Sequence, residues 1–357
     1  MDNIYVTKTF MPPLDEFIEY IKEIWETGII TNDGPMFQRL ENELAKFTGQ
    51  KYVVCMCNGT LALHIAIRAL ELQGKVITTP FTHVASSGSL FWEKCEPVYC
   101  DIDPETLNID PDKIETLIDK DTTAILAVHV YSNPCYVDII DKIAKKYSLK
   151  VIYDSAHAFG AIYKDKSVFS YGDLSMASFN ATKGFHTVEG GALFARNEEM
   201  VAEIRRLAYF GMDAQRNIVQ REGTNAKLIE FCAAMGLLNL KYFNSGVANR
   251  KLRYNQYLEL LRSNKKLRFQ KIIGEINYSY MPILCETKEH KEQVLQYLNA
   301  NGVYPREYFK PSLETIFADN INCPIALDIS QRVLCLPMSD YLTEDQVSYI
   351  CNLINDI

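Results

Sequence analysis

No apolar stretch in this chain of 357 residues reaches the ~20 residues that a membrane-spanning helix needs, so membrane insertion is not expected. Basic blocks are missing as well. The chain has 37 Lys and Arg against 45 Asp and Glu, a formal net charge of −8, which argues against nucleic acid as a partner. The first residues lack the basic-then-apolar order of a signal peptide. There is no internal repeat, low-complexity tract or flexible linker. Cysteine is plentiful, at ten residues, but metal-site spacing is not. The closest pairs, Cys55/Cys57 and Cys95/Cys100, fit neither a zinc ribbon nor an iron–sulfur pattern. Several of these cysteines fall in apolar segments, where a free thiol behaves as a small hydrophobe. With 48% hydrophobic and 23% charged residues, the composition describes an ordinary globular enzyme, cytoplasmic and reduced, of roughly two domains.

Short apolar segments recur at 52–56, 76–78, 97–101, 124–130, 151–154, 176–179 and 192–195. Helical periodicity separates several of them, as at 61–70 and 137–147. Runs that are continuously apolar, rather than alternating, indicate strands buried on both faces. That predicts an α/β fold with a mostly parallel sheet flanked by helices. Ligands of such sheets bind at the carboxyl ends of the strands. From about residue 197 the pattern turns helical: 198–210, 225–242 and a polar helix at 249–261. Short strands at 278–284 and 333–336 then mix with helices at 290–299 and 344–354. The expected division is a large domain, 1–245, and a smaller C-terminal α/β domain, 246–357.

Lys183 follows one apolar strand and precedes a Glu189-Gly190-Gly191 turn into the next. A lysine at a strand end is better held than a surface lysine. Asp154, 29 residues earlier, ends the strand Val151-Ile152-Tyr153-Asp154. A strand ending in an acid and a second strand feeding a lysine suit pyridoxal 5′-phosphate (PLP) chemistry. The lysine makes the Schiff base and the acid pairs with the pyridinium nitrogen. Cys57-Asn58-Gly59-Thr60 follows the first strand and opens a helix. It reads either as a phosphate cradle, with glycine permitting close approach and Thr60 donating, or as an ordinary glycine turn and cap. His83, in Pro80-Phe81-Thr82-His83, is a planar group able to stack on the ring. His157 is placed to hydrogen-bond the phenolic oxygen, and Ser178 to contact phosphate. Cradle, stacking group, nitrogen partner and lysine occur in that order along the chain.

With Asn58-Gly59-Thr60, Asp154-Ser-Ala-His157, Ser178-Phe-Asn-Ala-Thr-Lys183 and Glu189-Gly-Gly in place, the chain resembles the DegT/DnrJ/EryC1/StrS family of PLP-dependent sugar aminotransferases. These have the aspartate aminotransferase-like fold (PLP fold type I). The resemblance runs from Thr31-Asn32-Asp33-Gly34-Pro35 to Leu336-Pro337. It implies Lys183 as the Schiff-base lysine, Asp154 on the ring nitrogen, and Thr60 and Ser178 on the phosphate, beside the Gly59 turn. It also implies that Asn225 reaches the phosphate of a neighbouring subunit, hence a homodimer with shared active sites. Departures from the family pattern are His83 for an aromatic residue, His157 for the commoner Gln, Val188 for Gly, Ser132 for Gly, Tyr136 for Asp and Ser339 for His.

The family further implies transfer of an amino group from L-glutamate to a nucleotide-linked keto-deoxy sugar in surface polysaccharide biosynthesis. The expected acceptor is dTDP-4-dehydro-6-deoxy-D-glucose, with UDP-linked and 3-keto sugars open. Thr31, Asn32, Tyr308 and Lys310 are the candidate substrate contacts, although Thr31, Asn32 and Asp33 also suit a plain turn and the segment 306–311 an exposed one. Two rival readings are weaker. A PLP-dependent sugar dehydratase of the same family would replace the lysine by histidine, and a non-catalytic DNA-binding regulator would need a basic face.

Overall fold

The computed structural model describes residues 3–318 and 322–357. Seven strands form the main sheet: β1 (Tyr52–Met56), β2 (Lys75–Thr78), β3 (Glu96–Tyr99), β4 (Thr122–Val128), β5 (Lys150–Asp154), β6 (Leu174–Ser178) and β7 (Gly191–Ala195). Their order is β1-β7-β6-β5-β4-β2-β3. Only β7 runs against its neighbours; the other pairings are parallel. Successive residues of one strand enter different cores, as the pleat dictates. Val54 and Met56 pack with Leu63, Ala66, Met176 and Leu193 on one face. Val53 and Cys55 pack with Phe37, Leu40, Phe159 and Phe194 on the other. Burial on both sides explains why these segments read as unbroken apolar runs. The mostly parallel α/β architecture is the one expected from the sequence.

Register sets the site. Val128 lies opposite Asp154, Asp154 opposite Met176, Ser178 opposite Gly191, and Gly191 opposite Met56. Because β7 is antiparallel, its first residue joins the carboxyl ends of β6 and β1. The helices that open at this edge include α1 (Gly59–Ala69), directly after β1, and α2 (Val84–Trp92), after β2. The C-terminal part holds an antiparallel three-stranded sheet of β8 (Leu267–Phe269), β9 (Met281–Cys285) and β10 (Val333–Leu336). Its core includes Met281, Ile283, Val294, Leu298, Leu334 and Ile350. Near the amino terminus, Ile4 and Tyr5 pair with Val303 and Tyr304.

One helical reading needs correction. The residues read as two helices, 225–242 and 249–261, form one helix, α3 (Glu230–Leu261), and 225–229 precede it. Gly246, within the helix, serves packing. A Cβ there would lie 2.6 Å from Asp340 Oδ2, where Asp340 is ion-paired to the buried Arg250. The division expected near residue 246 therefore falls inside a continuous helix.

The start of α3 also fixes a distant turn. Glu230 is 1% exposed, and its carboxylate accepts the backbone N–H of Met36 and of Phe37, each at 2.8 Å. Those amides belong to the first turn of the helix Pro35–Thr48. They have no intrahelical acceptor, and the positive helix end favours the anion. Hydrogen bonds to a charged group contribute about 1.5–3 kcal/mol each when lost. Glu230→Ala should therefore lower unfolding free energy by about 3–6 kcal/mol in urea titrations, with Glu230→Gln recovering part of it. An alanine variant as stable as the parent would show that the cap carries no load.

Candidate active site

The carboxyl edge of the sheet opens into a cavity of about 360 Å³. Its lining includes Gly59, Thr60, His83, Asp154, His157, Ser178, Lys183 and Tyr308. These residues come from five separate stretches of chain, and the sheet register described above gathers all of them except Tyr308, which a C-terminal loop supplies. Asn225, Thr31, Asn32 and Lys310 do not line it. Asn225 is exposed and accepts a hydrogen bond from Lys227. Asn32 lines a different cavity, with Asp33, Arg205 and Tyr209, and Thr31 belongs to the turn beside it. Lys310 pairs with Glu307 at 2.8 Å and Glu292 at 3.6 Å, so its charge is spent on holding its own loop.

Burial pushes the amine of Lys183 down from 10.5 to about 8, and the nearby Asp154 charge opposes the shift. Asp154 is 4% exposed. Its Oδ2 accepts from Ser86 Oγ at 2.7 Å and its Oδ1 from the backbone N–H of Ala156 at 3.0 Å. Ser86 Oγ in turn lies 2.9 Å from Thr82 Oγ1. These contacts hold the carboxylate in one orientation at the end of β5, a support that no sequence pattern signals, because Ser86 sits 68 residues away.

Both histidines are held neutral. Desolvation, together with the Lys183 charge, lowers His83 below its ordinary value, and burial drives His157 well below it. The Nδ1 atom of His83 accepts the N–H of Ala85 at 3.2 Å, capping α2. The Nδ1 atom of His157 accepts the N–H of Tyr131 at 3.3 Å. In each neutral ring the proton therefore resides on Nε2, which is left as a donor. His157 is clamped in an aromatic stack, parallel to Phe309 at 5.5 Å and within 4.6 Å of Tyr280. Tyr131, Tyr280 and Phe309 were not singled out from the sequence. The run Tyr278-Ser279-Tyr280 was read as a strand, and its aromatic rings carried no signal of their direction.

The residues fit a PLP-sized phosphate ester. Asn58 caps α1 through Oδ1, accepting from Leu61 N at 2.8 Å, which leaves the N–H groups of Gly59 and Thr60 without intrahelical acceptors. A Cβ on Gly59 would sit 2.9 Å from the Cβ of Ser178. A Cβ on Gly191 would sit 2.7 Å from Gly59 N. Glycine at both positions lets the start of β7 and the end of β6 close on the helix end, forming a backbone-lined anion cradle. The cradle, an amine with a depressed pKa and an oriented carboxylate face one space, the donor set that this cofactor needs.

Residues 14–355 match the model of the DegT/DnrJ/EryC1/StrS aminotransferase family. The dTDP-4-amino-4,6-dideoxy-D-glucose transaminase of Shigella dysenteriae is 42% identical, over 99% of each chain. Among solved structures, DesI in the presence of its TDP-sugar product superposes with a TM-score of 0.94 at 29% identity, covering 99% of this chain and 92% of that one. NtdA from Bacillus subtilis with bound cofactor PMP gives 0.89 at 26% identity, covering 96% and 81%. The chain belongs to the DegT/DnrJ/EryC1/StrS aminotransferase family.

Proposed function

We propose that this protein is a PLP-dependent transaminase that moves an amino group from L-glutamate to dTDP-4-dehydro-6-deoxy-D-glucose, giving the 4-amino-4,6-dideoxy sugar nucleotide. The observation that carries the reading is the pairing of a desolvated Lys183 with an oriented Asp154 across one cavity. The nucleotide and the position of amination rest on the Shigella relative's name and on the TDP-sugar product of DesI. Restoring a carbonyl at the aminated carbon of that product gives the 4-keto acceptor.

PLP, when bound, supplies an aldehyde for covalent attachment and a conjugated ring that takes up negative charge from the substrate carbon. The chain's own groups do the rest. Lys183 Nζ provides the attachment point, then takes the proton from the donor's Cα. With its pKa near 8, both its forms are accessible near neutral pH, as an acid–base catalyst requires. Asp154, fixed by Ser86 and Ala156, would pair with the cofactor's ring nitrogen. The Nε2–H of His157 donates to a phenolic oxygen, and the imidazole of His83 provides a flat wall. Gly59, Thr60 and Ser178 hold the phosphate. Tyr308, in the cavity wall, is the candidate sugar contact. Lys183 itself disfavours the dehydratase alternative.

We further propose a homodimer in which Asn225, exposed and outside its own subunit's cavity, completes the phosphate site of a neighbour. Exposed apolar side chains support this: Ile30, Val188, Phe210, Ile218, Val219 and Ile229 are each more than two-fifths exposed. The free cysteines, most of them buried, suit a reducing cytoplasm.

The amine must be neutral to attack an aldehyde, so capture of PLP should follow the deprotonated fraction of Lys183. Borohydride-fixed label on the peptide containing Lys183 should rise about tenfold between pH 7 and pH 9, given a pKa of about 8. Lys183→Ala should take no label at any pH, and equal labelling of that variant would exclude this lysine. Asp154→Asn should fold normally yet lose at least about 10²-fold in kcat; unchanged kinetics would remove the carboxylate from the mechanism. To test the substrate, a panel of keto-sugar nucleotides is assayed with glutamate and the product's amino position read by NMR. Amination of a UDP-linked or 3-keto sugar in preference to the dTDP-linked 4-keto sugar would overturn the assignment.

A further inference from the structure

Lys183 stands in the wall between two cavities. Behind the one already described lies a smaller chamber of about 30 Å³. Thr7, Thr182 and Lys183 line both. A space of that size holds about two waters, or the two oxygens of one carboxylate. Its inner wall includes Gly184, Arg250, Ser279 and Asp340.

Arg250 is 2% exposed. Its Nε donates to the carbonyl of Asn277 at 3.1 Å, and its Nη1 is paired with Asp340. Its Nη2 has no acceptor among the described residues, and Ser279 Oγ has no partner there either. Buried polar atoms are rarely left unsatisfied, and a charged donor least of all. The two atoms converge beside the catalytic lysine. A Cβ on Gly184 would lie 3.5 Å from Arg250 Nη2 and would overlap Ser279 Oγ. The chamber's charge does not oppose an anion: Arg250 is already paired with Asp340, and the wall adds the further positive charge of Lys8.

We propose that Arg250 Nη2–H and Ser279 Oγ–H receive the α-carboxylate of the amino donor. This rests on the transaminase reading above. The donor's Cα must come within reach of Lys183 Nζ, which takes its proton, and the carboxylate carbon is one bond further on. A lysine forming the shared wall puts Cα on one side and the carboxylate in the chamber. The keto sugar has no carboxylate beside its reacting carbon, so the chamber serves one of the two substrates that share the active site.

The two half-reactions are measured separately on the holoenzyme: glutamate with the PLP form, and the keto-sugar nucleotide with the aminated form. Ser279→Ala and Arg250→Lys should each weaken glutamate binding about tenfold while leaving the sugar half-reaction within about twofold. Calorimetry with glutarate, the donor's carbon skeleton without its amine, should show the same loss with no turnover involved. Arg250→Lys also disturbs Asn277 and Asp340, so Ser279→Ala, checked by an unchanged melting temperature, decides the matter if the lysine variant misfolds. Equal losses in both half-reactions, no loss in either, or an amine without a carboxylate serving as well as glutamate would overturn the proposal. Failure of the wild type to react with any amino donor would instead strike at the transaminase reading itself.

Discussion

Everything at this site depends on keeping one amine desolvated next to one carboxylate. An ordinary lysine at neutral pH is protonated and cannot attack an aldehyde. Moving Lys183 from 10.5 to about 8 corresponds to about 3 kcal/mol in favour of the neutral form. The fold supplies that by burying the lysine between two cavities at the carboxyl edge of the sheet. Asp154 works against it, since its charge favours the protonated amine. Desolvation is the larger of the two effects, so the net shift is downward, while Ser86 and Ala156 hold the carboxylate. Those two contacts fix the carboxylate in one orientation in the cavity wall.

The wall opposite the sheet is built by a different part of the chain and is held by charge. Lys291 is fully buried and pairs with Glu307, and Lys310 pairs with the same carboxylate. These ions anchor the loop that carries Tyr308 and Phe309. From the sheet side, Tyr131 donates to the carbonyl of Tyr308, and Leu313 N donates to the carbonyl of Pro80 at 3.0 Å. Phe309 is thereby pressed flat against His157, and the histidine's tautomer is set by a backbone amide on its other side. Ring orientation, protonation state and wall position are thus one coupled arrangement. Lys310 contributes to it from outside the cavity.

Legibility in the sequence followed the range of the interactions. The strands at 52–56 and 151–154 were visible because burial on both faces demands unbroken apolar runs, a local property of composition. Asp154 and Lys183 were visible because each ends or follows such a strand, so chain position alone puts both at the ligand-binding edge. The gap expected between 242 and 249 is absent because the helix runs through it, and Gly246 within it admits a neighbour. Here the neighbour is Asp340, 94 residues later. Ser86, Tyr131 and Phe309 gave no signal, since the direction of a side chain depends on partners that are distant in sequence.

The amino-acid sequence on its own determined the α/β architecture and the placing of Asp154, Lys183 and the Gly59 turn at the carboxyl edge of the sheet. These depend on periodicity, strand ends and the absence of a Cβ, all properties carried by a few adjacent residues. Only the tertiary structure decided that Lys310 serves its own loop, that both histidines are neutral with the proton on Nε2, and that Arg250 and Ser279 meet behind Lys183. Most of those outcomes depend on desolvation and on contacts between residues distant in sequence, such as Tyr131 with His157 and Arg250 with Ser279, quantities that do not exist until the chain has closed around them.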